Sequence, residues 1–306
     1  MRYLGRRALE ALLTLLLVSV VVFAAGRAIG DPLDLLLPPN ATEEQVAHFE
    51  DKLGLDGPLP GQYLSFLGDS AKGDLGTSVT SGQPVADTIR AVLPSSIRLA
   101  LVSLGFALLI GLPLGILSGV HRGTVWDLIA RLVAVVGQSL PSFVLGLLLM
   151  LWLSVNLGWL PTSGTGSWRN YVMPGLSMGL ILAASITRLM RTSMIEVMSS
   201  EYIKMHRAKG LPERLVVWKY AARNACVSVI GFAAVYIVIL ITNAVVIETV
   251  FNWPGFGRLA YNAVLSRDYP MIQGVVLVGT VMYVVSSFAA DALSALANPR
   301  LRARRS

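Results

Sequence analysis

Residues 201–225 read EYIKMHRAKGLPERLVVWKYAARNA. Lys204, Arg207, Lys209, Arg214, Lys219 and Arg223 crowd into this stretch beside Glu201 and Glu213. The chain around it is very oily: 54% of its 306 residues are hydrophobic and 14% charged. A soluble domain carries about 25% charged residues, so this chain has too few to wet a globular surface and belongs to a membrane class. Mean hydropathy is +0.65. The net charge of +7 does not indicate a nucleic-acid binder, because no clustered basic face on a soluble fold is visible. In a membrane protein, positive charge marks the cytoplasmic side.

A bilayer core of ~30 Å takes ~20 apolar residues per helix. Six stretches meet or approach that length: 8–25, 99–120, 132–157, 171–187, 224–247 and 269–290. The first follows Arg6-Arg7, as a secretory leader would. It runs on into Ala24-Ala25-Gly26-Arg27 without a clear cleavage site and reads as a span. With the N-terminus inside, most Lys and Arg fall on the inner segments 1–7, 121–131, 188–223 and 291–306. The short outer loops keep only Arg169, Arg258 and Arg267. This asymmetry predicts both termini in the cytoplasm and places 201–225 in the longest inner loop.

Within that loop, Ser200 and Glu201 suit a helix start, and Gly210-Leu211-Pro212 suits a stop and a turn. Pro212-Glu213 suits the first turn of a second helix. Leu215, Val216, Trp218, Ala221 and Ala222 follow at spacings of three and four, enough for one apolar face. An ordinary basic loop would carry the same charge. The Gly-Pro turn between two amphipathic halves favours a protein-docking element. None of the five lysines, Lys52, Lys72, Lys204, Lys209 and Lys219, lies in G-x-x-x-x-G-K-[ST], the loop that cradles nucleotide phosphates. If transport is ATP-driven, the ATPase is another polypeptide, and a helix pair of this kind is what it would push against.

The long outer loop is the one non-membrane module. Thr42-Glu43-Glu44 with Val46, Phe49 and Leu53 reads as a short capped amphipathic helix, ended by Gly54, Gly57-Pro58 and Pro60-Gly61. The loop is acidic, with Glu43, Glu44, Glu50, Asp51, Asp56, Asp69, Asp74 and Asp87. A solvated cap and a docking or gating surface are both open readings. Cys226 is the sole cysteine, which excludes an internal disulfide, and no Cys/His spacing suggests a metal. His48, His121 and His206 are expected at the surface.

Polar side chains at membrane depth face a partner helix or a pathway. Gln138, Ser139, Asn243 and Ser287 are the candidates for pathway lining. Helix–helix hydrogen bonds, worth ~0.6 kcal/mol each, are the weightier alternative. Glu248 and Asp291 stand at span ends and read as interfacial. Gly105, Gly111, Gly115 and Gly119 suggest close helix packing.

The stretch RAKGLPERLVVWKYAARNA resembles the "EAA" loop of bacterial ABC importer permeases, in the version of the dipeptide, oligopeptide and nickel group. Gly30-Asp31-Pro32, Leu53-Gly54-Leu55-Asp56-Gly57-Pro58-Leu59-Pro60, Gln62-Tyr63 and Gly73-Asp74-Leu75-Gly76-Thr77-Ser78 resemble the outer loop of the B-type subunit. So do Trp253-Pro254-Gly255-Phe256-Gly257-Arg258-Leu259 and Arg267-Asp268-Tyr269-Pro270, with Pro299-Arg300 near the C-terminus. The match runs in order over nearly the whole chain. It departs from the usual pattern at Met205-His206, Tyr220, Ser228 and Asn298.

The resemblance implies an all-α integral membrane protein of six transmembrane helices, with a first span packed outside a five-helix core. On that plan, 1–26 is the cytoplasmic N-terminus and first span, and 27–96 the extracytoplasmic module. Residues 97–293 form the core with the cytoplasmic coupling loop 188–225, and 294–306 a basic cytoplasmic tail. It implies a multi-pass protein of the bacterial inner membrane, paired with a homologous second permease as a heterodimer. Two cytoplasmic ATPases, which use ATP and Mg, and an extracytoplasmic solute-binding protein complete the set. The chain itself would bind no cofactor, metal or nucleic acid and would not be an enzyme. Glu201, Arg207, Ala208, Lys209, Gly210, Leu211, Glu213 and Arg214 would form the coupling loop. Trp253, Pro254, Gly255, Gly257 and Asp268 would form the outer-face motif. Members of the group carry dipeptides, longer peptides, glutathione, nickel complexes, opines or oligosaccharides, and the binding protein chooses among them. Two other classes compete. A self-contained secondary transporter would favour ion-coupling charges in mid-span, and no acidic residue lies there. An intramembrane metal enzyme would want a motif such as H-E-x-x-H, which is absent.

Overall fold

The computed structural model describes residues 2–28, 42 and 58–297. The helix expected after Thr42, the Gly30-Asp31-Pro32 motif, most of the motif at 53–60, Asn298 and Pro299-Arg300 lie outside the described residues. So does the tail from residue 298 on.

Lipid offers no partner to a backbone N–H, so an apolar chain must satisfy its own backbone, and helices do this locally. In order, they are α1 (Arg2–Ala28), α2 (Leu59–Lys72), α3 (Val85–Val120), α4 (Val125–Ser139), α5 (Ser142–Leu149), α6 (Arg169–Ser199), α7 (Glu201–Ala208), α8 (Glu213–Leu215), α9 (Ala222–Thr242), α10 (Val245–Val250), α11 (Phe256–Leu265) and α12 (Tyr269–Ala297). A π-helical stretch, Met150–Asn156, extends α5, and another, Val216–Ala221, joins α8 to α9. Among the described residues, the isolated β-bridge pairs Thr77 with Pro84.

Among the described residues, five helices are long and apolar enough to cross a membrane, and the bent pair Val125–Ser139 with Ser142–Asn156 makes a sixth span when counted as one. Its two halves meet at 105°. The stretch 132–157, which reads as one uninterrupted span in the sequence, is therefore broken. Pro141 has no N–H to donate and disfavours helical backbone at the residue before it. Leu140 accordingly takes φ −93°, ψ 125°, and Pro141 φ −58°, ψ 140°. The helix carrying the second span starts at Val85, within the segment expected to be outer loop. At 36 residues it is roughly 54 Å long, well beyond the ~30 Å apolar core.

The described residues form two compact units. One comprises residues up to Pro94 together with Leu259–Val284. In it, α1 leaves Leu9, Leu12, Leu13 and Leu17 exposed and buries Ser19 and Val22. The Ser19 hydroxyl lies 2.9 Å from the Tyr63 hydroxyl of α2, and Phe23 stands edge-on to Tyr63 at 5.5 Å. Gly73, at φ 88°, ends α2. The loop beyond is closed by Ser78 N–H to Gln83 O at 2.9 Å and Val85 N–H to Gly76 O at 3.0 Å.

The other unit comprises Ser95–Arg258 and residues from Val285 on. Its axis is α6, where Met173, Leu182, Ala183, Ala184, Ile186, Met190 and Met194 are wholly buried. Glycines let neighbours approach. A Cβ at Gly111, Gly115 or Gly119 of α3 would meet Ile186, Met190 or Met194 at 2.6–2.7 Å. One at Gly137 of α4 would meet Ala184 at 2.8 Å and the Leu180 carbonyl at 2.9 Å. Such close backbone approach is how helices associate where both sides are apolar. Gly105, expected to pack with the others of α3, has open space at its Cβ.

Candidate functional site

The basic stretch folds as a hairpin between α6 and α9. Ser200 is extended (φ −71°, ψ 151°) and separates α6 from α7. The α7 helix ends with Gly210 N–H donating to Arg207 O at 2.9 Å. Gly210 itself sits at φ 72°, the left-handed region open to glycine. Pro212 (φ −63°, ψ 139°) then precedes α8, as its fixed φ suits. Across this turn, Arg207 donates twice to Glu213: Nη2 to Oε1 at 2.6 Å and Nε to Oε2 at 3.1 Å. The carboxylate holds the guanidinium above its ordinary range through those hydrogen bonds. Ile203, Val216, Val217 and Ala221 are buried beneath. Tyr202, Met205 and Trp218 are exposed, each above 40%. Glu201 pairs with Lys204 at 2.7 Å, and Ala208, Lys209, Gly210 and Arg214 are exposed, with Leu211 half-buried. The hairpin is thus a fixed turn on an apolar base, presenting a mixed basic and apolar outer face.

His206 departs from the surface position expected of it. Its side chain is buried, with Nδ1 2.7 Å from Tyr202 O and its ring 4.4 Å from Tyr202 and 4.2 Å from Tyr220. His206 and Tyr220, both departures from the usual pattern of the resembled loop, therefore touch.

The outer-face residues divide between the units. Trp253 is wholly buried, donates Nε1–H to Ser95 O at 3.3 Å and packs edge-on against Tyr171 at 4.6 Å. Its neighbours gather around Glu248, which is wholly buried where an interfacial position was expected. The Glu248 carboxylate accepts from Ser96 Oγ at 2.5 Å and from Arg258 N–H at 2.9 Å, while Ser96 Oγ accepts Phe256 N–H at 2.7 Å. A side chain at Gly255 would run into that carboxylate, and one at Gly257 would meet Val245 at 2.8 Å. Burial pushes the Glu248 carboxyl up, against the pull of the Ser96 hydroxyl and the backbone N–H groups of Arg258 and Gly257. Asp268, in the other unit, accepts from Ser78 Oγ at 2.5 Å, from the N–H groups of Val79 and Thr80 at 3.2 and 3.3 Å, and from Met271 N–H at 3.2 Å. It fixes the 76–84 loop to the start of α12. Asp291 lies on α12.

The pathway candidates fall on three elements. Gln138 and Ser139 end α4 and are exposed, Asn243 is exposed at the end of α9, and Ser287 is half-buried on α12. Sequence reasoning missed Ser96 and the cluster of Asp127, Arg191 and Ser118, in which Asp127 is 3% exposed. Glu248 lies 152 positions from Ser96 and Arg191 64 positions from Asp127, and no spacing signals either pairing. Among the described residues no group of three or more His, Cys, Asp or Glu gathers as a metal site would.

Comparison with known proteins identifies the family. Residues 111–303 match the family model "Binding-protein-dependent transport system inner membrane component", and residues 1–100 match its N-terminal companion. The chain is 38% identical over 303 residues to the "Glutathione transport system permease protein GsiC" of Escherichia coli O6:H1, covering 99% of both proteins. It is equally identical, with the same coverage, to the protein of that description from Salmonella choleraesuis. Among solved structures it resembles a chain of the inward-facing MetNI methionine ABC transporter, with a TM-score of 0.57 and 19% identity, over 69% of this chain and 96% of that one.

Proposed function

The chain belongs to the binding-protein-dependent transport system inner membrane components and is the permease subunit of an ABC importer, and on that premise we propose that the hairpin 201–215 is the element that couples it to a cytoplasmic ATPase. The observation that carries this reading is the hairpin's build. Gly210 at φ 72° and the two Arg207–Glu213 hydrogen bonds fix a turn, buried Ile203 and Val216 seat it, and Met205, Trp218 and the basic residues are left for a partner. Permeases of this family work with ATPase and solute-binding partners. The finer assignment is a heterodimer with a homologous permease, two ATPases that use ATP and Mg, and both termini on the ATPase side. Trp253, Pro254, Gly255, Gly257 and Asp268 shape the outer face, and Gln138, Ser139, Asn243 and Ser287 line the passage.

The cargo we assign is a short peptide, a class that includes the glutathione named for the relatives. Nickel complexes, opines and oligosaccharides are the other cargoes of the resembled group. The test is reconstitution in vesicles with the partner permease, ATPases and binding protein. ATP-dependent uptake of labelled di- and tripeptides, competed by unlabelled glutathione, is expected only in the complete set. Uptake by this chain alone, driven by an ion gradient, would support a secondary transporter instead. ATP hydrolysis by the chain alone would overturn the reading.

A further inference from the structure

Asp127 is a buried carboxylate to which the coupling reading gives no task. It stands in the first turn of α4 and receives Ser118 Oγ at 2.6 Å, Arg191 Nε at 2.9 Å and Nη2 at 3.5 Å, and Gly123 N–H at 3.2 Å. Arg131 Nη2 lies 3.4 Å away, and Arg191 Nε also donates to Ser118 Oγ at 3.0 Å. Ser118 is in the last turn of α3, Gly123 in the turn that follows, and Arg191 on α6. One carboxylate thus ties three helices. The far end of α4 is held to the same helix, because Gly137 presses on Leu180 and Ala184 with no room for a Cβ. Attached at both ends, α4 has little freedom to move except with α6. The α6 helix in turn runs unbroken to Ser199, one residue short of the hairpin.

We propose that the Asp127–Arg191–Ser118 cluster is a positioning joint that makes α4 follow the hairpin, so that a displacement of α7 reaches the Leu140–Pro141 bend beside Gln138 and Ser139. The proposal rests on the coupling role assigned to the hairpin. The physical reason is that charge-assisted hydrogen bonds to a buried carboxylate hold short, defined geometries. Removing one partner leaves an uncompensated charge, so the joint has few alternative arrangements. The extended backbone at Leu140 ends α4 there and separates it from α5. Coupling of this kind is read as motion of α4 with α7.

The experiment uses the complete transporter in vesicles, with Cys226→Ser and spin labels at Val135→Cys on α4 and Lys204→Cys on α7, both exposed positions. In the wild-type background the distance distribution between the labels is expected to be narrow and the same with and without bound ATP analogue. Asp127→Asn should broaden it and make it nucleotide-dependent. Solute imported per ATP hydrolysed should fall, while basal hydrolysis by the partner ATPases persists. Arg191→Lys, which keeps the charge, should disturb both less than Asp127→Asn does. If Asp127→Asn fails to accumulate, Asp127→Asn with Arg191→Gln removes both charges and should show the same broadening. A wild-type distance that changes with nucleotide would overturn the joint, as would an unchanged distribution and import ratio in the folded variants. A single label at Lys204 that does not respond to the ATPases would sink the coupling role itself. A label that responds while the Val135–Lys204 distance varies would sink only the joint.

Discussion

At Gly210 a Cβ would meet nothing within 4 Å, yet the backbone stands at φ 72°. The cost of a side chain there is conformational, about 1–2 kcal/mol for an L-residue in the left-handed region. Asn tolerates that region, and a β-branched residue does so least. Binding-protein stimulation of ATPase should therefore fall in the order Gly, Asn, Ala, Val when measured in the same vesicles. Wild-type stimulation in Gly210→Val would show that the turn relaxes freely and does not set the docking surface. Glu248 supports a prediction of another kind. Burial raises its folded-state pKa, so its contribution to stability is complete below the ordinary glutamate range and is lost as pH rises through the folded-state value. Raising the pH across that window should lower the melting temperature of the wild type more steeply than that of Glu248→Gln. Parallel curves would show that the carboxyl titrates as it does unfolded. The two residues differ in legibility for a physical reason. Gly-Leu-Pro between two amphipathic halves admits few backbone solutions, so local sequence announces the turn. Glu248 depends on Ser96, which is 152 positions away, and nothing local announces that.

At the scale of elements, the hairpin is stapled by Arg207 and Glu213, which are 44% and 55% exposed. An exposed pair of this kind is worth ~0–1 kcal/mol and is screened by salt. Arg207→Glu is therefore expected to reduce ATPase stimulation mildly at low salt and hardly at all at high salt. Adding Glu213→Arg should restore it. A complete loss that persists in the double variant and at high salt would show that the staple is not what Arg207 contributes. The helices on either side of this hairpin were readable from apolar length and from the turn residues between them. The break in the third span was not, although Pro141 stands in plain view. Proline within a membrane helix is compatible with a kink or with a full stop, because neighbouring helices and side chains re-satisfy the freed groups. Which outcome occurs depends on packing, here Gly137 against α6 on one side of the bend and Gly146 against Phe251 on the other. The early start of α3 escaped for a related reason. Val85–Pro94 is too polar to register as span, and Pro94, which has no N–H to donate, interrupts the hydrogen-bond ladder without ending the helix.

At the scale of the whole molecule, hydropathy sets the number of crossings to expect, and charge sets the orientation to test. Opposite assignments of the loops would bring the same helices with every side exchanged, and the distribution of Lys and Arg decides between them. The inner assignment gathers 188–223, with Arg188, Arg191 and the six basic residues of the hairpin stretch, on the side of both termini. The outer assignment leaves the loop at 157–168 with no Lys or Arg, and the loop before α3 acidic. This predicts a one-sided labelling pattern in a Cys226→Ser background. Lys209→Cys should react with an impermeant maleimide only from the ATPase side. Asp69→Cys on α2, where the side chain is half-exposed, and Trp159→Cys, at an exposed position, should react only from the other. Opening the vesicles with detergent should make all three reactive, which separates sidedness from burial. If Lys209→Cys labels from the same side as Trp159→Cys, the crossing pattern between α5 and the hairpin is wrong. The hairpin could then meet no cytoplasmic ATPase, whatever its turn geometry.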